Sequence, residues 1–129
     1  MRYLLLLLLL PAFIKAQEIT LTIKVEGISE IEGKLMFRLR NAKGEEVLKS
    51  TQKVDAKTET ITLKLKAGSY ALAIFHDAND NDEIDRAFTG IPTEKYAFSN
   101  NARGTFGPPD LEDQLFTLQS NKTIKVLLE

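Results

Sequence analysis

Ser69-Tyr70-Ala71-Leu72-Ala73-Ile74-Phe75-His76 is apolar on both of its alternating faces, and its reading decides the fold. A continuous apolar run this short, bounded by turn formers, reads as a fully buried strand rather than a helix. The bounding residues are Ala67-Gly68 on one side and Asp77-Ala78-Asn79-Asp80 on the other. The run is therefore expected to be the central strand of a sheet, covered on both faces.

Outward from this strand the apolar pattern has period two. Ile19, Leu21, Ile23 and Val25 alternate with Thr20, Thr22, Lys24 and Glu26 until Gly27, which describes a strand with one face on a core and one in water. Leu35, Phe37 and Leu39 repeat the pattern against Lys34, Met36, Arg38 and Arg40, closing at Asn41-Ala42-Lys43-Gly44. A weaker strand falls around Val47–Val54, and Ile61, Leu63 and Leu65 alternate with threonine and lysine. Leu115–Leu118 and Thr123–Leu128 finish the chain. About seven short strands at roughly ten-residue spacing predict an all-β fold, an antiparallel β-sandwich. One long loop, from Asp77 to Gln114, separates the central strand from the last two. Within it, Asp110–Gln114 after Pro108-Pro109 is suited to a single helical turn, because proline fits a helix start and acids suit its first residues. A connection this long is usually functional or packed on itself.

The N-terminus carries a different signal. Met1-Arg2-Tyr3, the unbroken leucines Leu4 to Leu10, and a small residue at Ala16 before a polar segment match an export leader. The apolar run is too short for a membrane span of about 20 residues. Residues 1–16 are read as a signal peptide and residues 17–129 as one domain, exported to the periplasm or the extracellular space, with no transmembrane segment after cleavage. Loss of Arg2 and Lys15 with the leader moves the net charge from −1 to −3. That mildly acidic balance offers no basic stripe for nucleic acid. The chain has no cysteine, which excludes disulfides, thiolate metal sites and a lipid-bearing cysteine.

Asp77-Ala78-Asn79-Asp80-Asn81-Asp82-Glu83-Ile84-Asp85 spaces oxygen-bearing side chains at loop positions one, three, five and nine. Calcium takes six to eight oxygens, and a tight loop can aim alternate side chains inward while the carbonyl at position seven adds another. Asp77, Asn79, Asn81 and Asp85 are the expected side-chain ligands of Ca2+, with Glu83 contributing its carbonyl. Position twelve is Phe88 where an EF-hand places a bidentate Glu, so this is a different loop, whose remaining ligands would be water or Asp110, Glu112 or Asp113. Position six, often glycine, is Asp82, a residue type that tolerates left-handed backbone. The competing reading is a polar turn, since Asn and Asp are ordinary turn residues.

Phe75-His76-Asp77, the acidic loop, Gly90-Ile91-Pro92-Thr93-Glu94-Lys95-Tyr96-Ala97-Phe98-Ser99-Asn100-Asn101-Ala102-Arg103-Gly104 and Phe106-Gly107-Pro108-Pro109 closely resemble the secreted bacterial family catalogued as domain of unknown function 2141. The resemblance implies an exported, single-domain β-sandwich of immunoglobulin or transthyretin-like type. It implies no activity. The bacterial resemblance implies that Asn121-Lys122-Thr123 is a hairpin tip rather than a glycosylation acceptor.

Asn100, Asn101 and Arg103, near Tyr96, Phe98 and Phe106, combine amides, a guanidinium and aromatic faces, a set suited to a sugar or peptide ligand. The alternative is that the amides satisfy the backbone of a long loop. Tyr70, two residues after Gly68, has the placement of a tyrosine corner. His76 is the only histidine and reads as a hydrogen-bonded packing residue. A hydrolase built on His76 and Ser99 lacks a nucleophile elbow or an oxyanion-hole motif. Three functions follow: a calcium-stabilised binding or interaction module for a protein, glycan or envelope component; a structural accessory of the envelope; or a small hydrolase around His76.

Overall fold

The computed structural model describes residues 11, 17–87, 90 and 92–129. The predicted leader, apart from Pro11, and Phe88 at loop position twelve lie outside the described residues. The strands are β1 (Ile19–Glu26), β2 (Lys34–Asn41), β3 (Glu46–Lys53), β4 (Glu59–Leu65), β5 (Gly68–Asp77), β6 (Tyr96–Phe98), β7 (Leu115–Leu118) and β8 (Lys122–Leu127). A 3-10 turn at Ser99–Asn101 and a one-turn helix, α1 (Leu111–Gln114), sit between β6 and β7.

The architecture is a β-sandwich. One sheet has the order β4-β1-β8; the other runs β3-β2-β5-β6, with β7 also pairing β5. The alternation read from the sequence becomes the two inner faces. Leu21, Ile23 and Val25 of β1 meet Leu35, Leu39, Leu72 and Leu118 across the core, each essentially without solvent contact. Alternate residues of a strand face opposite sides, so the same period places Thr20, Thr22 and Lys24 outward. Tyr70 closes a corner as expected, its hydroxyl donating to the Lys66 carbonyl at 2.7 Å.

β5 is central, with β2 along one side and β7 then β6 along the other. Ala71 pairs with Leu115 of β7 and Ala73 with Phe98 of β6, so the partner strand changes at Leu72. There the Leu72 N–H has no ladder acceptor, and the buried Ser99 hydroxyl accepts it at 2.9 Å. The same hydroxyl donates to the Gln114 carbonyl, fastening the end of α1 to the sheet.

The predicted sandwich is present, and the structure refines four details of it. The described residues form eight strands, one beyond the seven or so expected, because β6, at three residues, is too short to display a period in sequence. The connection from Asp77 to Gln114 is accordingly not one loop, since β6 adds to the sheet part-way along it. One pairing, β1 with β8, is parallel. The segment around Asn121 is not a hairpin tip: β7 pairs β5 in one sheet and β8 pairs β1 in the other, so the chain crosses between sheets there. The Asn121 side-chain oxygen accepts the Thr20 N–H at 3.0 Å and pins that crossing to β1.

Candidate functional site

The acidic loop leaves the end of β5, where Asp77 is fully buried. Its carboxylate accepts the backbone N–H groups of Asn81 at 3.2 Å and Asp82 at 2.8 Å, which curls the loop over its own first residue. Asp80 and Asp82 take left-handed backbone at φ 57° and 66°. The tolerance of Asp for this region is thus used at loop position six. Gly33 has positive φ as well, and a Cβ there would lie 2.1 Å from the Asp77 carbonyl oxygen. Glycine therefore lets β2 begin hard against the loop, and the next residue, Lys34, reaches into it.

The carboxylates of Asp77, Asp80 and Asp82 each offer an oxygen within 4.8 Å of the others. The Lys34 ammonium lies among them, 2.8 Å from Asp80 and 3.8 Å from Asp77, and is hydrogen-bonded to Asp82. Hydrogen bonds to Asp80 and then Asp82 raise the Lys34 pKa above its ordinary value. The remaining loop side chains form a second set. Asn79 and Asn81 donate their amides to the two Asp85 oxygens at 2.6 and 2.8 Å. Of the residues expected to ligate calcium, Asp77 thus joins Asp80 and Asp82, while Asn79, Asn81 and Asp85 gather separately. Glu83 donates its N–H to the Asn81 side-chain oxygen.

Glu94 is the acid that sequence reasoning overlooked. Its two oxygens accept the N–H groups of Ala78 at 2.9 Å and Asp85 at 2.8 Å, clamping the ends of the loop together. Among the described residues no hydrogen bond or ion pair joins Asp110, Glu112 or Asp113 to the loop.

Asn100, Asn101 and Arg103 are engaged within the fold. Asn100, with φ 62°, donates its amide to the carbonyls of Asp113 at 3.1 Å and Leu115 at 2.9 Å. The Asn101 side-chain oxygen accepts the Leu127 N–H at 3.0 Å, tying the connection to β8. Arg103 lies 4.9 Å from the Tyr96 ring centre, donates to the Tyr96 carbonyl at 3.2 Å and pairs with Glu129. His76 is buried on the core side, its Nε2 donating to the Glu32 carbonyl at 2.7 Å. With the Ser99 hydroxyl held by Leu72 and Gln114, both members of the imagined pair are committed to scaffold bonds.

A concavity lies elsewhere, on the outer face of the five-stranded sheet. Pairing fixes two rows of outward residues there: Met36, Phe75 and Tyr96, and beside them Lys49, Arg38, Ala73 and Phe98. The 77–114 connection borders them, bringing Ile84, Arg86 and Pro92, with the fully exposed Phe106 at the rim, around an open cavity of about 870 Å³. Arg40, on the same face of β2, donates to the Gln114 side-chain oxygen at 2.9 Å. Burial, and then the neighbouring Arg38, lowers the Arg40 pKa.

Residues 23–125 match the family model described as an uncharacterized protein conserved in bacteria, DUF2141. The chain belongs to that family. The match runs from the middle of β1 into β8, so it takes in strands of both sheets and the whole connection. No curated protein and no solved structure gives a match. Among the described residues no helix is long and apolar enough to cross a membrane.

Proposed function

We propose that this DUF2141 protein is an exported binding module, with the outer face of the five-stranded sheet as the floor of its binding site and the 77–114 connection as the roof. The observation that carries the reading is the cavity of about 870 Å³ between the two. That volume falls in the range of about 300–1,000 Å³ occupied by small-molecule sites, and its lining is mainly apolar and aromatic with a few charged groups, as such sites are. A neutral solvatochromic dye tests it. The dye is expected to brighten on binding, and Ala73→Trp, which fills the floor, is expected to abolish the signal without unfolding the domain. Equal signals from both proteins would defeat the reading.

The acidic loop is proposed to bind calcium and so stiffen the roof. In support, three carboxylates converge within 4.8 Å, and Lys34 already places a positive charge among them. The second reading, a structural accessory without a metal, is favoured by that same ammonium, which with the Asn81 and Asp82 N–H groups already partners the carboxylates. Export rests on the leader-like residues 1–16; mass spectrometry of the protein recovered from its native host should find residues 1–16 missing.

A further inference from the structure

We propose that the cavity takes a small amphiphilic organic anion, its carboxylate or phosphate held by Arg38, Arg40 and Lys49 and its apolar body laid over Ala73 against Phe98. This rests on the reading of the cavity as a binding site and adds the chemistry of its occupant. Lys49 of β3 and Arg38 of β2 are directly opposite in register. Like charges at that separation destabilise a strand pair, and no ion pair offsets them among the described residues. The lysines flanking the site are treated differently: Lys34 is paired with Asp80 and Asp82, and Lys53 with Asp55.

Arg40 adds an independent observation. One edge of its guanidinium is bound by Gln114, whereas its Nε is buried with no partner, the one such side-chain atom found among the described residues. Buried donors are ordinarily satisfied, so this guanidinium is held short of acceptors by its own surroundings, and Arg40 is among the residues lining the cavity, where its charge adds to that of Arg38 and Lys49. Glu46 faces Arg40 in register yet forms no ion pair with it. Arginine forks fit the paired oxygens of carboxylate and phosphate.

The row itself sets the shape of the ligand. Lys49, Arg38, Ala73 and Phe98 lie side by side across four strands, from two cations through a small residue to an aromatic ring. Strands are spaced about 4.8 Å apart, so Arg38 and Phe98 are separated by about 10 Å, the length of a bicyclic ring bearing a short acidic arm. The alanine leaves room between them.

Fluorescence titration with 1-naphthylacetate, 1-naphthyl phosphate and neutral 1-naphthalenemethanol tests the proposal at low salt. At least one of the two anions is expected to bind tenfold or more tightly than the alcohol, and the tighter one identifies the oxyanion. The exposed pair is then changed together, Arg38→Gln with Lys49→Gln, which relieves repulsion and so leaves the domain folded. That variant is expected to lose the anion preference tenfold while keeping its affinity for the alcohol. Equal affinities for anion and alcohol, or a preference unaffected by the double variant, would overturn the anion assignment and leave the binding module standing. If no compound binds and Ala73→Trp changes nothing, both fall.

Discussion

Ser99→Ala removes one oxygen from the interior, and the structure indicates what that oxygen does. Ser99 has no solvent contact. Its hydroxyl accepts the Leu72 N–H at 2.9 Å and donates to the Gln114 carbonyl. Leu72 is where the partner of β5 changes from β7 to β6, so no strand is placed to take over the bond. The truncation therefore strands one backbone donor and one acceptor, each at about 1–3 kcal/mol, and a loss of about 2–6 kcal/mol follows. For a domain of this size that lowers the melting temperature by about 8–24 °C, at about 4 °C per kcal/mol. Urea unfolding of the purified domain measures the loss, with the exposed Ser120→Ala as a control expected to stay within about 0.5 kcal/mol. Amide exchange at Leu72 should accelerate in parallel. A Ser99→Ala protein as stable as the control would refute the account of the β6–β7 junction, and with it the anchoring of α1 beneath the roof.

Leu72→Ala or Ile74→Ala, in the central strand, should cost about 2–5 kcal/mol, whereas Lys64→Ala on an outward face should change stability by under about 0.5 kcal/mol; paired denaturation curves decide. Asn100→Ala and Asn101→Ala each remove side-chain bonds that tie the connection to β7 and β8, and because both side chains are exposed about 0.5–1.5 kcal/mol is expected of each, against under about 1 kcal/mol for Arg103→Ala, whose ion pair is at the surface. Calcium should bind in the weak extracellular range, about 10⁻⁴–10⁻³ M, and Lys34→Met should tighten it by removing the competing ammonium; calorimetry showing no heat for either protein would leave the loop as a plain turn. Because the pKa of Lys34 is raised in the folded state, its pairing contributes in full at neutral pH and below its ordinary value near 10.5, and is lost only as the pH climbs through the higher folded value. Lys34→Met should therefore destabilise the calcium-free protein at pH 7 and lose that effect in strong alkali, which melts across the alkaline range would follow.

The strands were legible because burial leaves its period in the chain. Leu21-Ile23-Val25, Leu35-Phe37-Leu39 and the two-faced run at 69–76 each state which side chains leave water, and that alone selects strands and a sandwich. The acidic loop was equally visible, since the spacing of its oxygens is local. Which oxygens converge was not: Asp80 and Asp82 join Asp77 only because Gly33 brings Lys34 against them from a strand more than forty residues earlier. Glu94 and β6 escaped notice for the same reason, as each acts through a partner distant in sequence and carries no period of its own. The cavity belongs wholly to tertiary structure. Lys49, Arg38, Ala73 and Phe98 come from four separate strands, and only hydrogen-bonded register sets them in one row. Local periodicity reports whether a residue is buried; its neighbours across a sheet are chosen by pairing and by the path of a connection, and a sequence read along its length does not contain them.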